Sequence, residues 1–268
     1  MTTLPRYIRL TAAAGVLTTA AFGGYVLSHL EVIPETGRRR LMLISPETER
    51  RLGEMNFRKI LQQHQNQILP LTDPRAKMVR YVGERIAKAS NRPDFNWEFV
   101  VIDSPEENAF CLPGGKICVY TGLFKQLRHQ DGLAAVLSHE VAHALARHSA
   151  EQISLGSLFS IMLLFLSPEA STVVASAYSL AFDLPKSREH ESEADAIGLD
   201  LMAKACFDPR ASPEMFADWA KKDHIKAFKY FSTHPPSSER AQNLQKLLKG
   251  PMDRYNHHCH DVQKLYRN

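Results

Sequence analysis

Hydrophobic positions first gather in one long stretch near the start of the chain. Residues 10–30 contain no charged side chain and a single histidine, and a stretch of this length suits a helix that spans a bilayer. Arginines flank it on both sides, so the positive-inside count does not fix an orientation. We predict a targeting or transmembrane segment over residues 1–30, retained as an anchor. A cleaved signal or a mitochondrial presequence is the alternative, because alanine, glycine and threonine are frequent and no acid precedes Glu31.

After this stretch, the spacing of the apolar residues is that of a helix in some segments and that of a strand in others. Residues 31–44 form a predicted juxtamembrane linker, and Ser45-Pro46-Glu47 is typical of a helix start. We expect this helix to run to about residue 64, and a second helix to cover residues 75–90 after a proline-bounded break. Residues 97–102 are rich in β-branched and apolar residues, which favours a strand. The sequence therefore predicts an α+β fold that is mostly helical.

The region from Asn108 to Gly122 predicts a β-hairpin, with two short strands about a Pro-Gly-Gly turn. Residues 123–128 should connect it to the next helix. Further on, residues 154–166 and 173–184 are strongly apolar, but each is too short to span a bilayer. They are either core helices or segments that dip into a membrane surface. The last third is polar and helical in pattern, with a helix start near Ser237.

The central helix carries the pattern H-E-x-x-H. His139 and His143 are four residues apart, so they share one face of the helix and can offer two imidazole nitrogens to one metal ion. Glu140 lies one position round, beside the place where a hydrolytic water would bind. Apolar residues at three- and four-residue spacing support the helix: Leu133, Val136, Leu137, Val141, Ala144 and Leu145. Two histidines and a glutamate in a buried stripe are costly unless they bind metal or one another.

A second acidic helix, in residues 187–198, offers a third ligand. Glu191 and Asp195 share one face. The first can ligate zinc, and the second can accept the N–H of a ligating histidine and fix its tautomer. Glu193 is out of phase with that face, so we expect it to be a solvated charge.

These two motifs together resemble the zinc metallopeptidase family that includes the CAAX prenyl proteases and the bacterial heat-shock protease HtpX. In that family H-E-x-x-H is followed by E-x-x-A-D, and this chain has Glu191-Ser-Glu-Ala-Asp195. The stretch from Ser232 to Arg240 is similar to the family's His-Pro motif. The resemblance covers about residues 73–248. It implies a zincin-type catalytic domain over residues 73–268, with a small hairpin beside the zinc helix.

The resemblance also implies a site and a mechanism. One Zn²⁺ per chain would be held by His139, His143 and Glu191, while Glu140 takes the proton of the attacking water and passes it to the leaving amine. His234 and Arg240 would lie near the cleft. His234 either donates to the tetrahedral oxyanion or binds the zinc in a resting state.

Within the family, the segment Pro34-Glu-Thr-Gly-Arg-Arg-Arg-Leu41 and the hairpin from Asn108 to Lys116, with no cysteine before Cys111, resemble those of the mitochondrial inner-membrane peptidases whose activity overlaps that of the m-AAA protease. This implies membrane-associated protein substrates, quality control and stress response, and a catalytic domain that faces the intermembrane space. The sequence does not decide whether the protein forms a homo-oligomer. The alternatives are a periplasmic bacterial-type peptidase, an inactive zinc-containing chaperone, or a prenyl-protein protease. The last class has several long membrane spans, whereas this chain has at most one or two.

Composition changes this picture little. A chain of 268 residues, 44% of them hydrophobic, suffices for one catalytic domain with a sizeable core and an anchor. The net charge of +4 comes from dispersed basic residues, and no nucleic-acid-binding motif accompanies them. We therefore expect no nucleic-acid partner.

The chain has four cysteines, and they predict one disulfide. Cys111 and Cys118 flank the predicted hairpin, where a bridge would pinch an edge that the substrate should use. Cys206 follows the ligand helix and Cys259 lies in the C-terminal segment. We predict a Cys206–Cys259 bond that ties the tail to the catalytic helix in an oxidising compartment. Four free thiols are the alternative.

Overall fold

The N-terminal part of the fold combines two small sheets with two helices. The structure is a computed structural model that describes residues 20–33, 37–166, 187–221, 230, 234 and 238–259, with the backbone alone at 159–166 and 238. Residues 20–28 are helical. The following elements are β1 (Leu30–Val32), β2 (Arg39–Leu41), α1 (Pro46–Gln63) and α2 (Pro74–Ala89). Each helix begins with a side-chain cap followed by proline, as Ser45 accepts from the backbone N–H of Thr48 at 3.2 Å and Asp73 from that of Arg75 at 2.8 Å.

The segment expected to be a linker contains an ordered hairpin. Strands β1 and β2 pair antiparallel, Leu30 opposite Leu41, and Ile33 and Leu41 are buried. Arg40 is buried too, and its guanidinium donates to the carbonyl of Ala146. The segment predicted to be a linker therefore contains regular structure and contacts the chain beside the zinc-motif helix.

The main sheet has three strands in the order β3-β5-β4. They are β3 (Glu98–Ile102), β4 (Ala109–Leu112) and β5 (Lys116–Tyr120). Strand β5 is parallel to β3 and antiparallel to β4, and every residue of β5 is buried. Gly114 and Gly115 form the tight turn with φ of 86° and 88°, a conformation that favours glycine. The predicted strand and hairpin are both confirmed.

Helix α3 lies at the centre of the core. A 3₁₀ turn (Thr121–Gln126) leads into α3 (Gln130–Leu145), and the remaining helices are α4 (His148–Leu166), α5 (Arg188–Lys204), α6 (Ala211–Ala220), α7 (Ser238–Leu247) and α8 (Lys249–His258). Helix α3 packs against α2, α5, α6 and strand β4. Thirteen of its residues, from Gly132 to Ala144, are buried. The mostly helical α+β prediction is confirmed.

Two sequence predictions concern membrane contact. In the part of the chain that the structure describes, no helix is long and apolar enough to cross a membrane. Residues 1–19 of the predicted anchor and residues 173–184 of the second apolar stretch lie outside the described residues.

A disulfide joins the C-terminal helix to the ligand helix. Cys206 and Cys259 are bonded, with their Cα atoms 5.4 Å apart, and Cys259 is buried. Cys111 and Cys118 are free thiols. Closing a loop of 53 residues stabilises the fold by roughly 4 kcal/mol in the chain-entropy model.

Candidate metal centre

Two helices and one short segment bring four side chains to one point. Helix α3 supplies His139 and His143, α5 supplies Glu191, and His234 comes from the chain before α7. The helices approach closely at Gly198 of α5, where an added Cβ would lie 3.3 Å from the backbone of His139. Glycine therefore allows the ligand helix to reach the zinc-motif helix.

The donor atoms of these four side chains face one another. The Nε2 atoms of His139 and His143 are 3.0 Å apart, and Glu191 oxygens lie 3.3 Å and 3.2 Å from them. The Nδ1 of His234 is 2.8 Å from Glu191 Oε1 and 3.3 Å from His139 Nε2. All four side chains are buried.

This spacing fits a small metal ion. Ligand atoms bound tetrahedrally at about 2.0–2.1 Å lie about 3.3 Å from one another, and the observed separations are close to that value. Imidazole nitrogen with carboxylate oxygen is also a donor set that zinc binds. The predicted ligands His139, His143 and Glu191 are thus brought together, and His234 joins them as a fourth donor.

Glu140 lies beside this cluster without belonging to it. It is buried, and its Oε1 is 3.4 Å from Nε2 of His234. That oxygen has no hydrogen-bond partner among the described residues. A buried carboxylate oxygen aimed at the ligand group is placed to accept a proton from a water molecule there.

Asp195 and Arg240 hold the first ligand in place. The Oδ1 of Asp195 is 3.0 Å from Nδ1 of His139, so it can accept that N–H and leave Nε2 free for metal. The buried guanidinium of Arg240 contacts both Asp195 oxygens, at 2.7 Å and 2.8 Å, and Glu191 at 2.7 Å. Arg240 Nη2 also lies 3.1 Å from the His139 ring nitrogens. Arg240 is therefore a positioning residue, because it contacts two ligands, His139 and Glu191, and the carboxylate of Asp195 that orients His139.

The protonation of the site follows from these contacts. Burial and Arg240 oppose a proton on His139, but Glu191 and Asp195 outweigh them and raise its pKa to about 9. Burial lowers the pKa of His143 well below its usual value, so this ring is neutral. Burial opposes ionisation of Glu191, yet His234 and His139 hold the pKa of that carboxyl well below its usual range. The same negative carboxylates that attract a proton attract a cation.

The structure places two further residues against the site that the motifs did not indicate. Tyr230 stacks on His234, with ring centroids 4.7 Å apart, and burial and the nearby Glu140 raise the pKa of its hydroxyl. His148 contacts His143, with Nδ1 atoms 2.7 Å apart. In the sequence, the four-residue spacing from Tyr230 to His234 is the one feature that could have indicated Tyr230. No periodic spacing relates His148 to the site.

The expectation for Glu193 was wrong. Its side chain is buried, and its Oε2 lies 3.0 Å from Nε2 of His148. Two N–H groups of Arg38 also donate to it, both at 3.0 Å. Helix α5 is covered on more than one side, so a residue out of phase with the ligand face still meets protein.

Comparison with known proteins supports the geometry. The model of peptidase family M48 matches residues 73–248. The chain belongs to peptidase family M48. The predicted family is confirmed, and the chain is a metallopeptidase.

Relatives refine this assignment. The chain is 38% identical to the mitochondrial metalloendopeptidase OMA1 of Schizosaccharomyces pombe, over 91% of this chain and 74% of that protein. It is 34% identical to the mitochondrial metalloendopeptidase OMA1 of Bos taurus, over 84% of this chain, and it spans about half of that relative's length, 47%. The beta-barrel assembly-enhancing protease of Escherichia coli is 26% identical over 77% of this chain and 43% of its own. The chain is thus more similar to these mitochondrial metalloendopeptidases than to the bacterial protease.

Proposed function

We propose that this chain is a zinc endopeptidase of the mitochondrial inner membrane that cuts membrane-associated proteins in quality control and stress response. The observation that carries the chemistry is the buried cluster of His139, His143 and Glu191, with donor atoms 3.0–3.3 Å apart and Glu140 beside them. Zinc held there would supply the Lewis acidity that activates water and polarises the scissile carbonyl. The choice of zinc as the metal is supported by the donor set and by the metal dependence of the family.

The chain's own residues supply the proton transfers. Glu140 is placed to take the proton of the attacking water and to return it to the leaving amine, since its Oε1 is buried and lies 3.4 Å from Nε2 of His234, on the side of the ligand group. Asp195 keeps His139 in the tautomer whose Nε2 is free. No side chain needs to form a covalent intermediate.

His234 lies where it could bind the metal as a fourth ligand in the resting enzyme. Its Nδ1 is within ligand distance of the other donors, and a fourth protein ligand closes the position that a substrate needs. We infer that His234 occupies this position before substrate binds. With the metal position open to substrate, the same imidazole could instead donate a hydrogen bond to the carbonyl oxygen of a bound peptide.

The proposed membrane location is supported by exposed apolar side chains near the start of the chain. Phe22, Tyr25 and Leu27 in the helical residues 20–28 are 44%, 50% and 68% exposed, and Val32 in β1 is 58% exposed. Exposed apolar side chains gathered in one segment are typical of a surface that meets lipid or protein. The mitochondrial relatives support a mitochondrial location, and we propose the inner membrane, with the catalytic domain facing the intermembrane space.

Metal removal tests the chemistry. Purified protein treated with a zinc chelator should lose cleavage of an unstructured protein such as casein, and one equivalent of Zn²⁺ should restore it. Mg²⁺ is the control, because a His-rich site binds it poorly. Cleavage that survives complete zinc removal would refute the proposal.

A further inference from the structure

We propose that His148 and Glu193 form a relay that positions the second zinc ligand, His143. The inference rests on the proposed zinc site and adds two residues to it. The two ligand histidines differ in how they are oriented. His139 has a carboxylate, Asp195, directly on its Nδ1, whereas the Nδ1 of His143 meets another imidazole, that of His148, at 2.7 Å.

The hydrogen bonds fit only one pattern of protons. If Nε2 of His143 binds metal, its Nδ1 carries the hydrogen and donates to Nδ1 of His148. Nε2 of His148 then carries a hydrogen and donates to Glu193 Oε2 at 3.0 Å. Each imidazole donates once and offers one lone pair, so both rings are neutral. A ligating histidine commonly donates to a carboxylate, and here one extra ring lies between them.

The backbone is turned to place His148. Helix α3 ends after Leu145, and Arg147 has φ of 56°, a left-handed conformation that costs about 1–2 kcal/mol in a residue other than glycine. Its guanidinium donates to Glu49 and to the carbonyl of Ile44, both at 2.7 Å, which holds the turn. The turn starts α4 at His148 and brings its ring back against His143.

The far end of the relay is fixed by charge. Arg38, from the segment before β2, donates two N–H groups to Glu193 and two to Glu151, the latter at 2.6 Å and 2.7 Å. Glu151 pairs in turn with His190, whose ring stacks on that of His148 at 4.2 Å. His148 is fully buried, and Glu193 and Glu151 are each 5% exposed. Water therefore has little access with which to replace these partners.

The two glutamates give a matched pair for the test. Both are equally buried and both bind Arg38, but Glu193 contacts His148 directly, whereas Glu151 contacts His190. Zinc affinity of the full-length protein is measured by competition with a chromophoric chelator. Glu193→Gln should weaken zinc binding about tenfold, within the range for such supporting residues, while Glu151→Gln, which reaches His148 through Arg38 and His190, should weaken it less. Equal affinities in the two variants would refute the relay.

Two variants at His148 extend the test. His148→Phe keeps a ring but removes both nitrogens, and it should weaken zinc binding about 10- to 100-fold. His148→Gln retains one acceptor and one donor and should recover part of that loss; no difference between Phe and Gln would contradict the hydrogen-bonded role. Wild-type protein that binds no zinc would instead overturn the proposed function, so the two failures are distinguishable.

Discussion

At the scale of single residues, buried charges are held by fixed partners and not by solvent. Glu151 shows this clearly. Burial opposes its ionisation, but hydrogen bonds from Arg38 and His190 outweigh burial and lower the pKa of Glu151 from 4.5 to about 2. A carboxyl whose pKa is lower in the folded state stabilises the fold above its unfolded pKa.

This gives a pH prediction for Glu151. Its stabilisation is complete above about pH 4.5 and is lost as the pH falls from there toward about 2. The shift corresponds to at most on the order of 3 kcal/mol. The difference in free energy of unfolding between wild type and Glu151→Gln should therefore shrink across this window, as measured by urea unfolding at several pH values. Zinc release in acid affects both proteins and cancels in the difference. A difference that stays constant between pH 6 and pH 3 would contradict the assignment.

The ligand residues could be predicted from the sequence, but the residues that hold the ligands in place could be predicted only in part. The four-residue spacings of His139 with His143 and of Glu191 with Asp195 encode shared helix faces, which is local information. The contact of His148 with His143 depends on a left-handed turn at Arg147, which no periodicity reports. Glu193 was misplaced for a related reason, since the residues that cover it are 45 and 155 positions away in the chain.

At the scale of elements, the site depends on how closely α3 and α5 pack. Gly198 sets that distance, because an added Cβ would meet the backbone of His139 at 3.3 Å and of Ser138 at 3.4 Å. Backbone atoms cannot turn aside as a flexible side chain can. A methyl group there must push the two helices apart.

We therefore predict that Gly198→Ala destabilises the protein by about 1–3 kcal/mol, as overpacked cores do. Gly156→Ala is the matched control, since Gly156 is also helical and no atom of the described residues lies within 4 Å of its added Cβ. Alanine there should stabilise slightly, by up to about 1 kcal/mol, through helix propensity. Thermal unfolding of both variants decides it. A Gly198→Ala protein as stable as Gly156→Ala would show that the helices are not in tight contact.

Most elements were foreseeable because their signals are local. The Ser45 and Asp73 caps with following prolines start α1 and α2, and the glycine turn closes the β4–β5 hairpin. The β1–β2 hairpin was missed, since its strands have three residues each, β1 is exposed, and the burial of β2 comes from contacts with Ala146 and α4, which are distant in sequence. The register of such a strand pair follows from tertiary packing.

At the scale of the whole molecule, the N-terminal segment joins the catalytic centre to the proposed membrane anchor. Arg38 lies a few residues after the exposed apolar side chains of residues 22–32 and also contacts Glu193 beside the zinc ligands. These ion pairs therefore link the segment that carries the proposed anchor to the site.

The anchor itself gives a prediction for the full chain. In isolated mitochondria the protein should stay in the membrane pellet after alkaline carbonate washing, because a spanning helix is not released by high pH. A variant without residues 1–30, directed to the same compartment by another leader, should appear in the supernatant. Release of the full chain would indicate a cleaved presequence and a soluble enzyme.

The central claim is that Glu140 serves as the base beside a zinc ion held by three other side chains. Glu140→Gln removes the base and keeps the size and all three ligands, so we predict one zinc per chain, unchanged thermal stability and cleavage slower by about 10²- to 10⁴-fold. Glu47→Gln, at a side chain 75% exposed on α1, is the control and should cleave normally. Peptide cleavage and metal content measured on the same sample decide it. Full activity in zinc-loaded Glu140→Gln would contradict the account.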